Sequence, residues 1–194
     1  MLVEDAQREV RTVFVGGFWG QLVSSAVWLV SAALATWISP RAGIVAVVLG
    51  GFLIFPLTQL MLRLSGRRTS LTRENPLRFL AMQIAFTLPI SMLLLAPVGA
   101  YRLDWFYPAL MILLGAHYLP FTFLYGMRLF IPLSAILVGG GLGIALYIPG
   151  PFSLGAWVGG LVLFVFAWIL RAMVWAELRG NGGKRSIRTN SIPA

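Results

Sequence analysis

Residues 42–62 read AGIVAVVLGGFLIFPLTQLML, and residues 63–78 read RLSGRRTSLTRENPLR. The first stretch is 21 residues without a charge. As a helix rising ~1.5 Å per residue it reaches about 31 Å, the thickness of a bilayer's hydrocarbon core. It shows no period-two alternation, the mark of a membrane β-strand. The second stretch is a polar connection with five arginines. A charge-free span closed by a basic connection predicts a membrane helix and fixes which way it runs.

The rest of the chain repeats this pattern. Apolar runs occupy 12–38, 79–97, 105–125, 129–148 and 154–174. The breaks between runs are short and carry helix-stopping residues, such as Ser39-Pro40-Arg41 and Pro149-Gly150-Pro151. Composition agrees. Of the 194 residues 59% are apolar and 11% charged, with a mean hydropathy of +0.87. A soluble domain carries ~25% charged residues, so a soluble enzyme, a disordered chain and a nucleic-acid-binding domain are excluded. The expected fold is all-α, a polytopic transmembrane bundle of six helices. Residues 1–11 form a cytoplasmic N-terminal segment, 12–178 the membrane domain, and 179–194 a basic, unstructured tail. The first run reads as a retained helix rather than a signal peptide. It exceeds a ~7–15-residue signal core, and Glu4, Asp5 and Glu9 precede it.

The net charge of +9 comes from 15 basic and 6 acidic residues. Thirteen of the basic residues fall before the first run, in the second and fourth connections, and at the end of the sixth run or in the tail. Only Arg41 and Arg102 fall on the other side. This split supports an even number of crossings and puts both termini in the cytoplasm.

The chemical inventory is narrow. With no cysteine and one histidine, no Cys- or His-based metal site is expected. The six acids lie outside the centres of the spans, so a carboxylate pair or proton relay within the membrane is excluded. No catalytic residue, metal or cofactor is assigned. The polar residues within the spans are the candidates for a pocket. They are His117, Gln21, Gln83, Gln59, Tyr118, Thr87 and Thr122, most of them beside Pro56, Pro89 or Pro120 and expected in the cytoplasmic half. Unpaired polar groups in hydrocarbon cost several kcal/mol, so these should face inward, with Gln21 and Gln83 expected against His117. Small residues at four-residue spacing mark expected packing faces: Gly16, Gly20 and Ser24, then Gly139/Gly143 and Gly155/Gly159.

Gly115-Ala116-His117-Tyr118-Leu119-Pro120-Phe121, with Leu124-Tyr125-Gly126-Met127, resembles a stretch found in a family of small bacterial multi-pass membrane proteins of unknown function. The resemblance implies a bacterial inner-membrane protein and supplies no catalytic residues.

The leading functional reading is a transporter-like or channel-like protein with a polar pocket for a small, uncharged or weakly charged solute. The alternative is an accessory subunit packing through its glycine faces against a second copy or another membrane protein. A membrane-embedded enzyme is the least favoured. The partners implied are the lipid bilayer and, at the basic 63–78 connection, anionic lipid headgroups.

Single-cysteine labelling tests the topology on a background without cysteine. A cysteine at position 68 should resist an impermeant reagent in intact spheroplasts, whereas one at 104 should react. The reverse pattern overturns the orientation.

Overall fold

The computed structural model describes residues 1–189, without the side chains of 178 and 180–189. The described residues form helices and no strands: α1 (Val3–Val13), α2 (Phe18–Trp37), α3 (Pro40–Leu64), α4 (Leu77–Ser91), α5 (Leu95–Tyr101), α6 (Phe106–Tyr125), α7 (Phe130–Leu146) and α8 (Leu154–Thr189). A 3₁₀ turn joins α4 to α5, so Leu77–Tyr101 makes one long span. Five stretches are long and apolar enough to cross a membrane: Val15–Trp37, Pro40–Leu64, Leu77–Tyr101, Leu103–Tyr125 and Leu154–Glu177. The remaining apolar run, 129–148, holds the shorter α7, of 17 residues.

Local chemistry sets the boundaries. Ser39 caps α3 by accepting from the Ala42 N–H at 3.1 Å, with Pro40 at the first helical position. Gly126 closes α6 in the left-handed conformation, with Met127 N–H donating to Thr122 O and Gly126 N–H to Phe123 O, the Schellman pattern.

The first apolar run is not one helix. Val15, Gly16 and Gly17 all have positive φ, and they break the chain between α1 and α2. Left-handed backbone costs Val15 of order 1 kcal/mol, which its burial with Phe18, Leu62 and Ala167 offsets. Gly16 therefore lies outside the helix that carries Gly20 and Ser24. The three do not form one face, because the four-residue spacing holds only along a continuous helix. The tail expected as unstructured from 179 continues α8 as helix to Thr189, and 190–194 lie outside the described residues. Extending an existing helix costs less than starting one.

α2 lies between α3 and α8 and runs antiparallel to both. Along α3, Gly43 meets Ala35 and Gly50 meets Val27. Along α8, Phe18 meets Trp168, Ser25 donates to Gly160 O, Gly159 meets Trp28, and Thr36 donates to Ser153. α6 and α7 form a second antiparallel pair, with Gly115 against Ser134 and Gly141 against Pro108. α4 flanks α6. The two groups meet where Trp28 packs on Tyr107 and Gly17 on Tyr125 and Phe130, and Tyr118 and Phe121 join Phe130 between α6 and α7. α8 touches α6 at one end, where Gly155 sits on Tyr107 and Pro108. At the other end the 15–17 turn separates them, Gly16 against Val174 and Gly17 against Tyr125 and Phe130.

The expected packing glycines divide. Cβ atoms at Gly155 and Gly159 would come within 2.9 Å of Tyr107 and 2.5 Å of Trp28. One at Gly20 would stand an ordinary 3.8 Å from Thr58. Gly139 and Gly143 face open space, and the close approach on α7 falls at Gly141, 2.6 Å from Pro108 O.

α1 is a strap over one end. Ala6, Val10 and Val13 are buried, and polar groups tie the other positions down. Gln7 donates to Phe123 O, and Arg11 donates to Tyr125 O and, through two nitrogens, to Glu177. These bonds satisfy carbonyls at the C-terminus of α6, where a cation is also favoured by the helix dipole. Glu9 accepts from the Thr72 N–H and hydroxyl and from Asn75 Nδ2. Asn75 is fully buried; it also donates to Ala6 O and accepts from Leu77 N–H at the start of α4. Thus α1, the 65–76 connection, the α6–α7 turn and Glu177 share one end, the basic one. Desolvation pushes the Glu9 carboxyl upward, but the Asn75 and Thr72 hydrogen bonds, aided by Arg68, outweigh it and hold it below its ordinary 4.5.

Gly159→Leu should lower the melting temperature of detergent-solubilised protein, a loss of ~1–3 kcal/mol from overpacking against Trp28. Gly139→Leu should leave it within error. Equal effects would mean that α8 does not rest on Trp28.

The carboxylate form of Glu9 stabilises the fold, fully above about pH 4.5 and progressively less as pH falls through its lowered folded value. Glu9→Gln should therefore melt below wild type at pH 7, with the gap narrowing between about pH 5 and pH 3. A gap independent of pH would show that the Glu9 charge contributes nothing.

Candidate functional site

α6 carries two faces with different surroundings. Tyr107, Tyr118 and Tyr125 stand 11 and 7 residues apart, which at ~100° per residue puts them on one side of the helix. All three are buried. The Tyr107 hydroxyl lies 2.6 Å from the Ser31 hydroxyl, which donates to Gly43 O at 2.8 Å. Tyr118 stacks on Phe130, ring centres 6.1 Å apart at 15°. His117 lies about 100° round the helix from Tyr118 and faces α4.

There it lines a crevice of about 120 Å³ with Ile84, Thr87, Leu88, Ser91, Leu113, Ala116 and Pro120. His117 Nδ1 is buried and has no hydrogen-bond partner. Its ring meets Phe121 edge-on at 5.2 Å. Across the crevice, Thr87 and Ser91 spend their hydroxyl protons locally, on Gln83 O and Thr87 O. Those bonds lie around Pro89, which has no N–H of its own and frees the Ala85 carbonyl. Both hydroxyl oxygens keep acceptor capacity.

Of the expected pocket residues, the structure brings together His117 and Thr87. Gln21 is buried but lies on α2, on the far side of α6, with its Nε2 unpartnered. Between Gly17, which meets Tyr125, and Ser24, which neighbours Tyr118, Gln21 stands near the level of Thr122, whose buried Oγ1 is also unpartnered. Gln59 is half-buried on α3. Gln83 is exposed on the outer face of α4, in a groove with Phe79, Met82, Phe86, Thr87 and Ile90. Neither Gln21 nor Gln83 meets His117. Ser91, one turn beyond Thr87, joins His117 and Thr87 in the crevice. Tyr107, near the start of α6, is a fully buried hydrogen-bonding residue. Among the described residues no cluster of three His, Asp or Glu is placed to hold a metal.

The long apolar helices and the polar atoms kept between them define a helical membrane protein. The chain belongs to DUF7010, a family of unknown function, whose model matches residues 3–173. No curated protein and no solved structure matches it.

Proposed function

We propose that this protein crosses a bacterial inner membrane six times, with both termini cytoplasmic, and binds a small uncharged solute in the α4–α6 crevice in a transporter-like role. The 13:2 distribution of basic residues supports the topology. So does the antiparallel run of α7 along α6, with Ser134 beside Gly115 and Gly141 beside Pro108.

One observation carries the binding reading: the buried, unpartnered Nδ1 of His117 at a crevice that also holds Thr87 and Ser91. A ligand that hydrogen-bonds this nitrogen relieves a desolvation cost of ~1–3 kcal/mol. The volume of about 120 Å³ admits only a few heavy atoms, since drug-sized pockets span ~300–1,000 Å³. No charged side chain lines the crevice, so the ligand is neutral. Its rim includes the exposed residues Thr87, Ala116 and Pro120, so access is lateral, from the flank of α4 and α6. The aromatic packing between the helix groups favours this over a channel along the bundle axis.

The accessory reading has its own support. Gln83 is exposed between Phe79 and Phe86 on the outer face of α4, where hydrocarbon leaves its amide unsatisfied and a helix of a second copy or another membrane protein would not.

The test is thermal unfolding of reconstituted protein with glycerol, urea, formamide and ethanol as probes. Wild type should be stabilised by at least one of them, and His117→Leu and Ser91→Leu should lose the shift. His117→Leu should not itself destabilise, because it removes a buried polar atom with no partner. If no probe shifts wild type while Gln83→Leu changes its oligomeric size, the accessory reading replaces the transporter-like one.

A further inference from the structure

The basic end of α8 carries an arrangement that the crevice does not use. Arg171 lies over three aromatic rings, 4.9 Å from the centre of Phe18, 5.3 Å from Trp168 and 5.3 Å from Trp175. Arg179 lies 5.8 Å over the ring of Trp175. Arg171, Trp175 and Arg179 are spaced by four residues, which makes them one stripe of the helix, with Trp168 one turn before. Trp168 and Trp175 are exposed, so the stripe faces outward.

Its depth is set by the helix. Arg171 is 17 residues beyond Leu154, ~25 Å along the axis, so it stands just inside the far boundary of a ~30 Å hydrocarbon core. Arg179 is ~12 Å farther on, at headgroup level. An arginine at that depth needs a counter-charge. Among the described residues no carboxylate lies within 4 Å of Arg171, while Glu177 is held by Arg11 and Glu9 by Thr72 and Asn75. The aromatic rings hold the guanidinium by its face, which leaves its N–H edge for a planar, bidentate acceptor.

We propose that Arg171 and Arg179 form a binding site for the phosphodiester of an anionic lipid of the inner leaflet. Arg171 takes the phosphate bidentately, Arg179 adds a second positive charge above it, and Trp168 and Trp175 lie along the acyl chains. The site is separate from the 63–78 connection and from the His117 crevice, and it holds whichever function that crevice has.

The opposite end supplies a control. Arg102 stacks on Trp105 at 4.9 Å, but as a single arginine without a second cation on the same stripe.

Native mass spectrometry of detergent-solubilised full-length protein, titrated with phosphatidylglycerol, phosphatidylcholine or inorganic phosphate, tests the site. Wild type should retain phosphatidylglycerol in preference to phosphatidylcholine. Arg171→Gln should weaken phosphatidylglycerol binding about tenfold or more, as for loss of a bidentate charge-assisted pair, and Arg102→Gln should not. Arg171→Lys should recover only part of the affinity, because an ammonium cannot bind bidentately. Failure of inorganic phosphate to displace the lipid places the source in the membrane; displacement at equal concentration overturns the lipid assignment. Equal retention of the two lipids by wild type, or wild-type affinity in Arg171→Gln, overturns the site. If Arg171→Gln does not fold, the exposed Arg179→Gln decides: weaker phosphatidylglycerol binding supports the site and unchanged binding overturns it.

Discussion

The hydrogen-bonded relay from Tyr107 through Ser31 to the Gly43 carbonyl is the join on which the bundle depends. It ties α6 to α2 and α3 at one point, where buried neutral groups satisfy one another. Its geometry requires a glycine. A Cβ at Gly43 would stand 2.6 Å from the Tyr107 hydroxyl and 2.5 Å from Ala35. Gly155 lets α8 rest on the other side of the same tyrosine. Because apolar side chains gain little by leaving lipid for one another, close backbone approach and interhelical hydrogen bonds decide how such helices associate. With Tyr107 fixed, the rotation of α6 is fixed. Tyr118 and Tyr125 then line up toward α2 and α7, and His117 is turned toward α4.

The two ends are held by different chemistry. At the Tyr107 end the ties are neutral hydroxyls and carbonyls, continued by Thr36, Ser153 and Trp157. At the basic end the ties are charged. Glu9 gathers Thr72 and Asn75, and Arg11 bridges Tyr125 O and Glu177. Ionised groups are tolerable there because they keep part of their hydration, whereas in the span interior each would carry a desolvation cost of several kcal/mol. The α1 strap thus supplies carbonyl caps for the last turn of α6 and an anchor for the 65–76 connection, both at the ends of the apolar spans.

α4 is the loosely held element. Its burial is confined to the side facing α6, and Pro89 and the following 3₁₀ turn interrupt its hydrogen-bond ladder beside the His117 crevice. The crevice thus has one wall on a firmly packed helix and the other on a kinked one that lies apart from the tyrosine relay.

The sequence by itself determined the helical class, the apolar runs and the concentration of basic residues at one end, because each follows from the local cost of placing charge or unpaired backbone in hydrocarbon. It also marked His117, Thr87 and Gln21 as polar groups needing explanation. Tertiary structure decided which of them meet. Gln21 and His117 lie on opposite sides of α6, and Gln83 faces outward, since the rotation of each helix is set by its neighbours and not by its own composition. The same holds for the glycines. Gly43, Gly115 and Gly141 are read as close contacts only once α6 has a partner on each side, whereas Gly139 and Gly143, equally well spaced, face open space. The break at Val15–Gly17 was hidden inside an unbroken apolar run, because hydropathy is blind to the sign of φ. It arises where the strap, α8 and the α6–α7 turn converge on the chain, a convergence that no single segment encodes.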